Sequence, residues 1–426
     1  MPLRLSVSAL TVLFFFFFLC SFTAILAHNN EDPTIKTMED FSGYPIHESH
    51  SHLSSLSVDA QSLQKQIDEL SSFSDTPAPS VTRVLYTEKD VLARRFIKNL
   101  MGLSGLSVRE DAVGNIFGRW EGSNPELSAV ATGSHIDAIP YSGKYDGVVG
   151  VLGAIEAINV LTRSGFKPKR SLEVIMFTSE EPTRFGISCL GRFGSAPGHI
   201  PYHRFYSGNC RVVLWFFFCS FNIFEIFFTL PPSPFMLILS CFQDFSTVIN
   251  DAGLAAAELA LAVERHVLES GSIDTVGTVG ILELHPGAIN SIPSKSHLEI
   301  DTRDIDEERR NTVIEKIHQS AISIARKRRV TLSEFKIVNR DPPALSEKSI
   351  LDAMVASSKE LNLTHKLMIS RAYHDSLFMA RISPMGMIFI PCYKGYSHKP
   401  EEYSSTQDIS NGVKVLALTL AKLSLQ

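Results

Sequence analysis

Residues 129–137 read Ala-Val-Ala-Thr-Gly-Ser-His-Ile-Asp, residues 145–147 read Tyr-Asp-Gly, and residues 177–181 read Phe-Thr-Ser-Glu-Glu. The first apolar run stops before His135, and a helical pattern separates it from a second apolar run that stops before Glu180. Strand, helix and strand in this order predict a parallel pair of strands joined by a right-handed crossover. Both strands then end at one edge of the sheet, so we expect His135 and Glu180 to share a crevice there.

The flanking sequence predicts further helices and strands in two groups. On the N-terminal side, helical patterns cover 60–73, 89–101 and 148–161, strands cover 127–132 and 172–178, and a hairpin covers 108–120. From residue 251 onward, the prediction is helix 252–268, strands 275–284 and 296–303, helix 307–328, strand 330–338, helix 346–361, strand 385–390 and helix 408–423. This order predicts an α/β fold, in which a mixed, mostly parallel sheet is flanked by helices and a smaller α+β domain is inserted.

The segment 191–245 interrupts this pattern. It is rich in Phe and Leu, contains almost no acidic residues and shows neither helical nor strand periodicity. A membrane span is one interpretation, but Glu225 and the prolines at 231, 232 and 234 interrupt it within the length that a span needs. We favour translated non-coding sequence, because a block without a period contradicts its well-patterned neighbours. The segment is therefore interpreted as aberrant, and no membrane span is predicted.

The N-terminus has the three-part layout of a secretory signal peptide. Arg4 precedes an apolar block at 13–19, and the small residues Ala24 and Ala27 follow before polar sequence begins. This layout predicts cleavage after Ala27, with an uncleaved anchor as the alternative. Residues 28–53 are then expected to form a polar linker.

Charge and cysteine content exclude two classes of function. The formal net charge is -5, and the basic cluster at 326–329 closes a helical pattern, where cations suit the negative end of the helix dipole. No nucleic-acid partner is therefore expected. The six cysteines include no Cys-x-x-Cys pair, so a thiolate zinc site is not expected either.

The polar residues at the expected crevice are suited to holding divalent cations. A metal-bound His needs an acceptor for its second ring nitrogen, and Asp137 is placed to supply one to His135. Asp146 lies in a glycine-rich turn, where its carboxylate can bridge two ions. Glu180 and Glu181 repel each other unless cations compensate, and one can bind metal while the other accepts a proton from water. Taken singly, these residues also have simpler interpretations, namely a hydrogen-bonded loop His, an N-cap aspartate and two solvated glutamates.

These motifs resemble the peptidase family M20-type amidohydrolases, which are dinuclear metal enzymes with an inserted lid domain. The resemblance covers nearly all of 55–190 and 250–426, and it is strongest to the branch that hydrolyses carbamoyl amides. It implies that His135 binds the first metal, that Asp146 bridges, that Glu181 binds the second metal and that Glu180 acts as the base. Tyr-Ser-His at 396–398 matches the motif for the final ligand, His398. Two divalent ions are implied, and ligands without thiolate suit Mn²⁺.

Later stretches are similar to the family's substrate-binding residues. Residues 287–293 and 301–303 resemble lid residues that grip the substrate, which implies that Arg303 clamps its carboxylate and that Asn290 bonds its polar groups. An ion pair of Arg303 with Asp301 or Asp304 is the alternative. Two further pocket residues are implied to lie close to the substrate: Tyr373 and His374. The resemblance also implies a homodimer formed through the lid domain.

The chain departs from the family between the Glu pair and the lid helix. The family has a Leu-His-x-Glu-Gln-Gly-Pro motif there, which supplies another metal-binding His, and then a lid motif Gly-His-Ala-Gly. Neither motif occurs in this chain, and the segment 191–245 stands in their place. The expected layout is therefore a signal peptide at 1–27, the linker at 28–53, catalytic parts at 54–190 and 344–426, the aberrant segment at 191–245 and a truncated lid domain at 246–343.

The resemblance implies a small-molecule ureido substrate. The expected reaction is the hydrolysis of ureidoglycolate to glyoxylate, ammonia and carbon dioxide, a step of purine catabolism, in the endoplasmic reticulum. Allantoate and N-carbamoyl amino acids are alternative substrates, because all three carry a ureido group and a carboxylate. Two other classes of function stay open at this point: an inactive, mis-spliced form that lacks one metal ligand, and a membrane-tethered binding protein that uses 212–242 as a span.

Overall fold

The structure is a computed structural model that describes residues 56–186, 188–193, 211–215, 224–229 and 250–426. The predicted signal peptide and linker lie outside these residues. The strands within them are β1 Val81–Arg83, β2 Ser107–Glu110, β3 Ile116–Trp120, β4 Val130–Ser134, β5 Ala138–Ser142, β6 Leu172–Met176, β7 Arg211–Trp215, β8 Phe224–Thr229, β9 Val276–His285, β10 Lys295–Arg303, β11 Thr331–Ile337 and β12 Met385–Ile388. The helices are α1 Ala60–Ser72, α2 Glu88–Leu103, α3 Val148–Arg163, α4 Ala252–Leu268, α5 Glu307–Arg328, α6 Lys348–Glu360, α7 Asp375–Met379 and α8 Thr406–Leu425, with short 3₁₀ turns at Leu190–Phe193 and Tyr393–Gly395.

The larger sheet has six strands in the order β12-β7-β4-β6-β3-β2. Its first four strands run parallel to one another, and β3 and β2 add an antiparallel edge. In the pair predicted from the sequence, β4 and β6, Val130 lies opposite Leu172 and Ser134 lies opposite Met176. The prediction of a mixed, mostly parallel sheet is therefore confirmed, and β4 and β6 end at the same edge.

Helix α3, the crossover between these two strands, is apolar almost all round and is buried along nearly its whole length. A helix without a polar face needs cover on every side, and it packs against the sheet, α1 and α8. Helix α1 contributes Leu63, Ile67 and Leu70, which recur every three or four residues and so form one face. These residues join one continuous hydrophobic core with α3, α6 and α8.

The smaller sheet belongs to the predicted lid domain and is antiparallel, in the order β11-β8-β10-β9. Helices α4 and α5 pack together and form a second core with Leu298 and Ile300 of β10. Asp251 and Asp306 cap the two helices, because their carboxylates accept hydrogen bonds from N–H groups of the first turn. The predicted inserted α+β domain is confirmed, and β9 forms an edge of its sheet.

Two parts of the segment 191–245 differ from the expectation of no regular structure. Strand β7 lies between β4 and β12 in the larger sheet, and β8 lies between β10 and β11 in the smaller one. A strand in the interior of a parallel sheet needs no alternation of polar and apolar residues, so β7 carries no period that a sequence search can detect. The rest of the segment lies outside the described residues, apart from the turn at its start. Within the part of the chain that is described, no helix is long and apolar enough to cross a membrane.

Gly133 lies in β4, the strand that ends just before His135, and its substitution tests how tightly this strand is packed. A Cβ atom there would overlap the backbone carbonyl of Ile175 in the neighbouring strand, which has no freedom to move aside. We expect Gly133→Ala to destabilise the fold by about 1–3 kcal/mol or more, measured as a lower midpoint of urea unfolding. Gly102→Ala in α2 is the matched control, because a Cβ atom there meets nothing within 4 Å. Equal unfolding midpoints for the two variants would contradict this account of the strand.

Candidate metal centre

The site forms at the edge of the larger sheet, where loops from distant parts of the chain meet. His135 follows β4 directly, and Glu180 and Glu181 follow β6 after three residues. Asp146 directly precedes Gly147, the N-cap residue of α3. His398 arrives from the loop after β12. Apart from His398, which is partly exposed, all these side chains are buried.

Asp146, Glu181 and His398 form a cluster of possible metal ligands. One ligand atom from each residue lies within 4.8 Å of the others. The His398 Nε2 atom is 3.2 Å from Asp146 Oδ2 and 3.1 Å from Glu181 Oε1. His398 also has φ 59°, a strained backbone conformation for a non-glycine residue. Two carboxylates and an imidazole, mostly buried and with no thiolate, fit a hard or borderline divalent cation.

His135 lies on the other side of Asp146. Its Nε2 atom is 3.8 Å from Asp146 Oδ1 and 3.8 Å from Glu180 Oε2. The two oxygens of Asp146 therefore face different imidazoles, His135 through Oδ1 and His398 through Oδ2. Asp146 is not the N-cap residue of α3, since that position is occupied by Gly147. The arrangement suits a carboxylate that reaches two ion positions, which is the bridging role expected from the sequence.

Asp137 contacts the second ring nitrogen of His135 and also connects the two strand ends. The His135 Nδ1 atom lies 3.0 Å from the backbone carbonyl oxygen of Asp137 and 3.6 Å from its carboxylate. A proton on Nδ1 makes the bond to the carbonyl and leaves the Nε2 lone pair facing the site. The carboxylate instead accepts hydrogen bonds from the backbone N–H groups of Glu180, at 3.3 Å, and Glu181, at 3.0 Å.

Burial and neighbouring charges raise the pKa values of three groups at this site: His135, Glu180 and Glu181. Burial raises the pKa of Glu180 well above its usual value; the nearby His135 opposes this shift and Glu181 adds to it. Burial likewise raises the pKa of Glu181, against the hydrogen bond from His398. Burial alone would lower the pKa of His135, but Glu180 and Asp137 bring it well above the ordinary range. Among the described residues, carboxylates outnumber imidazoles at this site. A bound cation would reverse these shifts by compensating the negative charge.

The residues expected to bind substrate occupy one neighbourhood, with one exception. Arg303 forms an ion pair with Asp301, the alternative considered from the sequence, and its Nη1 donates to the Arg371 carbonyl oxygen at 3.1 Å. His374 is buried, and this burial, together with the positive charges of His135 and Arg303, lowers its pKa to about 3, so its ring is neutral. The Tyr373 hydroxyl donates to Asp341 at 2.7 Å. A cavity of about 740 Å³ is lined by Arg303, Tyr373 and His374, although the metal cluster does not line it.

Asn290 is the exception. It lies exposed in the connection between β9 and β10, whereas Arg303 is the last residue of β10. Strand β10 has nine residues, and at about 3.3 Å per residue it separates the two ends by roughly 27 Å. Within one chain, Asn290 and Arg303 therefore lie towards opposite ends of β10, and their joint grip on one substrate stays a prediction.

The peptidase family M20/M25/M40 profile matches residues 131–422. The chain belongs to this family. It is 62% identical to the ureidoglycolate hydrolase of Arabidopsis thaliana, over 96% of this chain and 98% of the relative, and 60% identical to that of Oryza sativa subsp. japonica, over 92% and 91%. A crystal structure of AtUAH in complex with (S)-hydroxyglycine superposes with a TM-score of 0.78, at 63% identity, over 88% of this chain and 100% of that one.

The Arabidopsis alignment spans 469 residues, more than the 426 residues of this chain. Part of the M20 relative therefore has no counterpart here, which agrees with the absence of two family motifs from the sequence. The described residues place His135 on one side of Asp146 and His398 on the other.

Several side chains to which the sequence motifs assigned no role support the candidate ligands. Arg83 is buried, and its guanidinium donates to the Ile136 carbonyl oxygen at 2.7 Å and to two carbonyl oxygens at the end of α1. Ser397 Oγ donates to Asp146 Oδ2 at 2.7 Å. Asp375 is buried beside the cluster, and burial raises its pKa to about 7. Ser397 and Asp375 could have been found from the sequence, because they are the neighbours of His398 and His374. Arg83 could not, because a lone Arg in a short strand has no distinguishing pattern.

Substitution of Asp137 tests whether metal binding depends on the hydrogen bonds that hold Glu180 and Glu181 in place. In Asp137→Asn, one carboxylate oxygen becomes an NH₂ group, so the backbone N–H of either Glu180 or Glu181 loses its acceptor. We expect metal affinity to fall about 10- to 100-fold, measured by Mn²⁺ titration against a competing chelator. Asp352→Asn, on an exposed ion pair with Lys348, is the control and should bind as the wild type does. Wild-type affinity in Asp137→Asn would show that these hydrogen bonds do not position the ligands.

Proposed function

We propose that this chain is a metal-dependent amidohydrolase that converts ureidoglycolate to glyoxylate, ammonia and carbon dioxide. The observation that carries the proposal is the buried cluster of Asp146, Glu181 and His398 beside Glu180 and His135, in a chain so similar to two ureidoglycolate hydrolases. Crystal structures of AtUAH contain (S)-hydroxyglycine and glyoxylate. Hydroxyglycine is what remains of ureidoglycolate when its ureido carbonyl leaves as carbon dioxide with one ammonia, and loss of the second ammonia gives glyoxylate.

Two divalent cations, with Mn²⁺ as the proposed ion, would be held by His135, Asp146, Glu181 and His398. When bound, such ions polarise the ureido carbonyl and lower the pKa of water. The oxygen and nitrogen donors of these four residues support Mn²⁺, since no thiolate is present to favour zinc. Asp146 lies between the two imidazoles, so it would contribute a carboxylate oxygen on each side of the site.

Glu180 is the proposed proton acceptor. Its carboxylate is buried and lies 3.8 Å from His135, and it belongs to no described three-ligand cluster, so it is available for proton transfer. It would accept the proton of the attacking water and deliver it to the departing nitrogen. Arg303 would hold the substrate carboxylate, exchanging part of its ion pair with Asp301 for a charge-assisted bond to the ligand.

Glu180→Gln tests the proposed reaction. The amide keeps the size of the side chain but cannot accept a proton, so turnover should fall about 10²- to 10⁴-fold. Ammonia release from ureidoglycolate, allantoate and N-carbamoyl amino acids would be measured in parallel, with metal content determined on the same samples. We expect retained metal and a preference of the wild type for ureidoglycolate. Unchanged turnover would remove Glu180 from this role, and a preference for another substrate would replace ureidoglycolate.

A homodimer formed through the smaller domain is also proposed. Strand β9 is an edge strand, and its exposed side chains include Ile281, Leu282 and Leu284. An exposed apolar edge is a surface on which a second copy can pair. Such a partner would also resolve the separation within one chain, because its Asn290 could approach a site whose Arg303 comes from the first chain.

Subunit complementation tests this arrangement. Arg303→Ala and Asn290→Ala are each expected to be weakly active as homodimers. If each site combines both residues across the interface, a mixture of the two variants contains heterodimers with one intact site and regains activity. A Leu282→Lys/Leu284→Lys variant should be monomeric in sedimentation velocity and should fail to complement. Monomeric wild-type protein, or a mixture no more active than its parts, would contradict the shared site.

The proposed compartment is the endoplasmic reticulum, entered through the signal peptide at 1–27. The support is the charged, apolar and small-residue order of the N-terminus. N-terminal sequencing of the protein from cells checks it, and a chain that starts at Met1 would count against it.

A further inference from the structure

Glu402 packs against the turn that carries Asp146. It lies four residues after His398 in the chain, and only 4% of its surface is exposed. Its Oε2 atom accepts hydrogen bonds from the backbone N–H groups of Tyr145, at 3.0 Å, and Asp146, at 3.2 Å. Both donors belong to a segment more than 250 residues away, so these bonds fix one part of the site against another.

The turn is shaped to admit this carboxylate. A Cβ atom on Gly143 would overlap Glu402 Oε2, and it would also stand 2.8 Å from the Lys399 carbonyl oxygen. Any side chain at position 143 would therefore push Glu402 off the turn. The glycine is required here by close approach, which is one of the few reasons to keep glycine in a defined turn.

A single short loop thus contacts Asp146 in three ways. Ser397 donates to its carboxylate, the His398 imidazole faces the same oxygen, and Glu402 accepts from its backbone N–H. The second oxygen of Glu402, Oε1, is buried with no hydrogen-bond donor among the described residues. A buried carboxylate satisfied on one side only is costly for stability, which indicates a role beyond packing.

We propose that Glu402 is a positioning residue of the metal centre, which holds the Asp146 backbone so that its carboxylate lies between His135 and His398. Glu402 binds no metal and transfers no proton in this role. The inference deepens the proposed function, since it rests on the same metal site. It predicts that metal affinity depends on the two hydrogen bonds of Glu402, whereas its negative charge matters less.

The experiment measures metal binding directly and needs no substrate. Mn²⁺ affinity is determined by titration, and the absorption spectrum of bound Co²⁺ reports the ligand geometry, in the full chain and four variants. Glu402→Ala should weaken Mn²⁺ binding about 10- to 100-fold and change the Co²⁺ spectrum. Glu402→Gln should recover most of the affinity, because an amide oxygen can still accept both N–H groups. Gly143→Ala should resemble Glu402→Ala although it retains the carboxylate, and Glu401→Ala, on the exposed neighbour, should resemble the wild type.

Each outcome decides the inference. Wild-type affinity and spectrum in Glu402→Ala overturn it, and so does a Glu402→Gln variant as weak as Glu402→Ala, because charge would then be the cause. Thermal unfolding of the metal-free variants separates misfolding from loss of positioning, with Gly143→Ala as the second route if Glu402→Ala does not fold. A wild-type chain that binds Mn²⁺ but does not hydrolyse ureidoglycolate would overturn the proposed function while the inference stands. A wild-type chain that binds no Mn²⁺ overturns both.

Discussion

The concentration of buried negative charge at one edge of the larger sheet is the constraint on which the rest of this structure depends. Asp137, Asp146, Glu180 and Glu181 are all buried there, beside the imidazoles of His135 and His398. Carboxylates removed from water repel one another and lose hydration, so such a group is stable only with compensation. Part of the compensation comes from hydrogen bonds, and the rest is what a divalent cation would supply.

Hydrogen bonds from other segments support several of the candidate ligands. Arg83 joins the end of α1 to the carbonyl between His135 and Asp137. Asp137 in turn joins the loop after β4 to the loop after β6, by accepting from the backbone of both glutamates. These hydrogen bonds therefore link neighbouring loops. The candidate ligands are positioned by a network that includes residues outside the metal cluster.

Local pattern predicted much of this arrangement. Helices α4 and α5 begin and end at the predicted residues. Asp251 and Asp306 cap their N-termini, and the apolar residues of each helix recur with a regular period. The residues of the candidate site were also visible, since parallel strands bring their carboxyl ends together. The long-range partners were not visible: the contact of Glu402 with Asp146 spans 256 residues, and no local period records it. Strand β7 was not predicted for a related reason: its partners β4 and β12 lie far from it in the sequence, one on each side.

The ligand cluster draws its members from distant parts of the chain, and this has a consequence for when the protein can acquire metal. His135, Asp146 and Glu181 are synthesised long before His398, which lies near the C-terminus. Closing so large a loop costs conformational entropy that nearby contacts do not repay. The cluster is therefore complete only once residue 398 has been synthesised, and an ion that binds it connects this late segment to the segment that carries Asp146. A bound metal would then stabilise the folded chain only after these segments have come together, so that its removal lowers the stability of the whole domain as well as of the site.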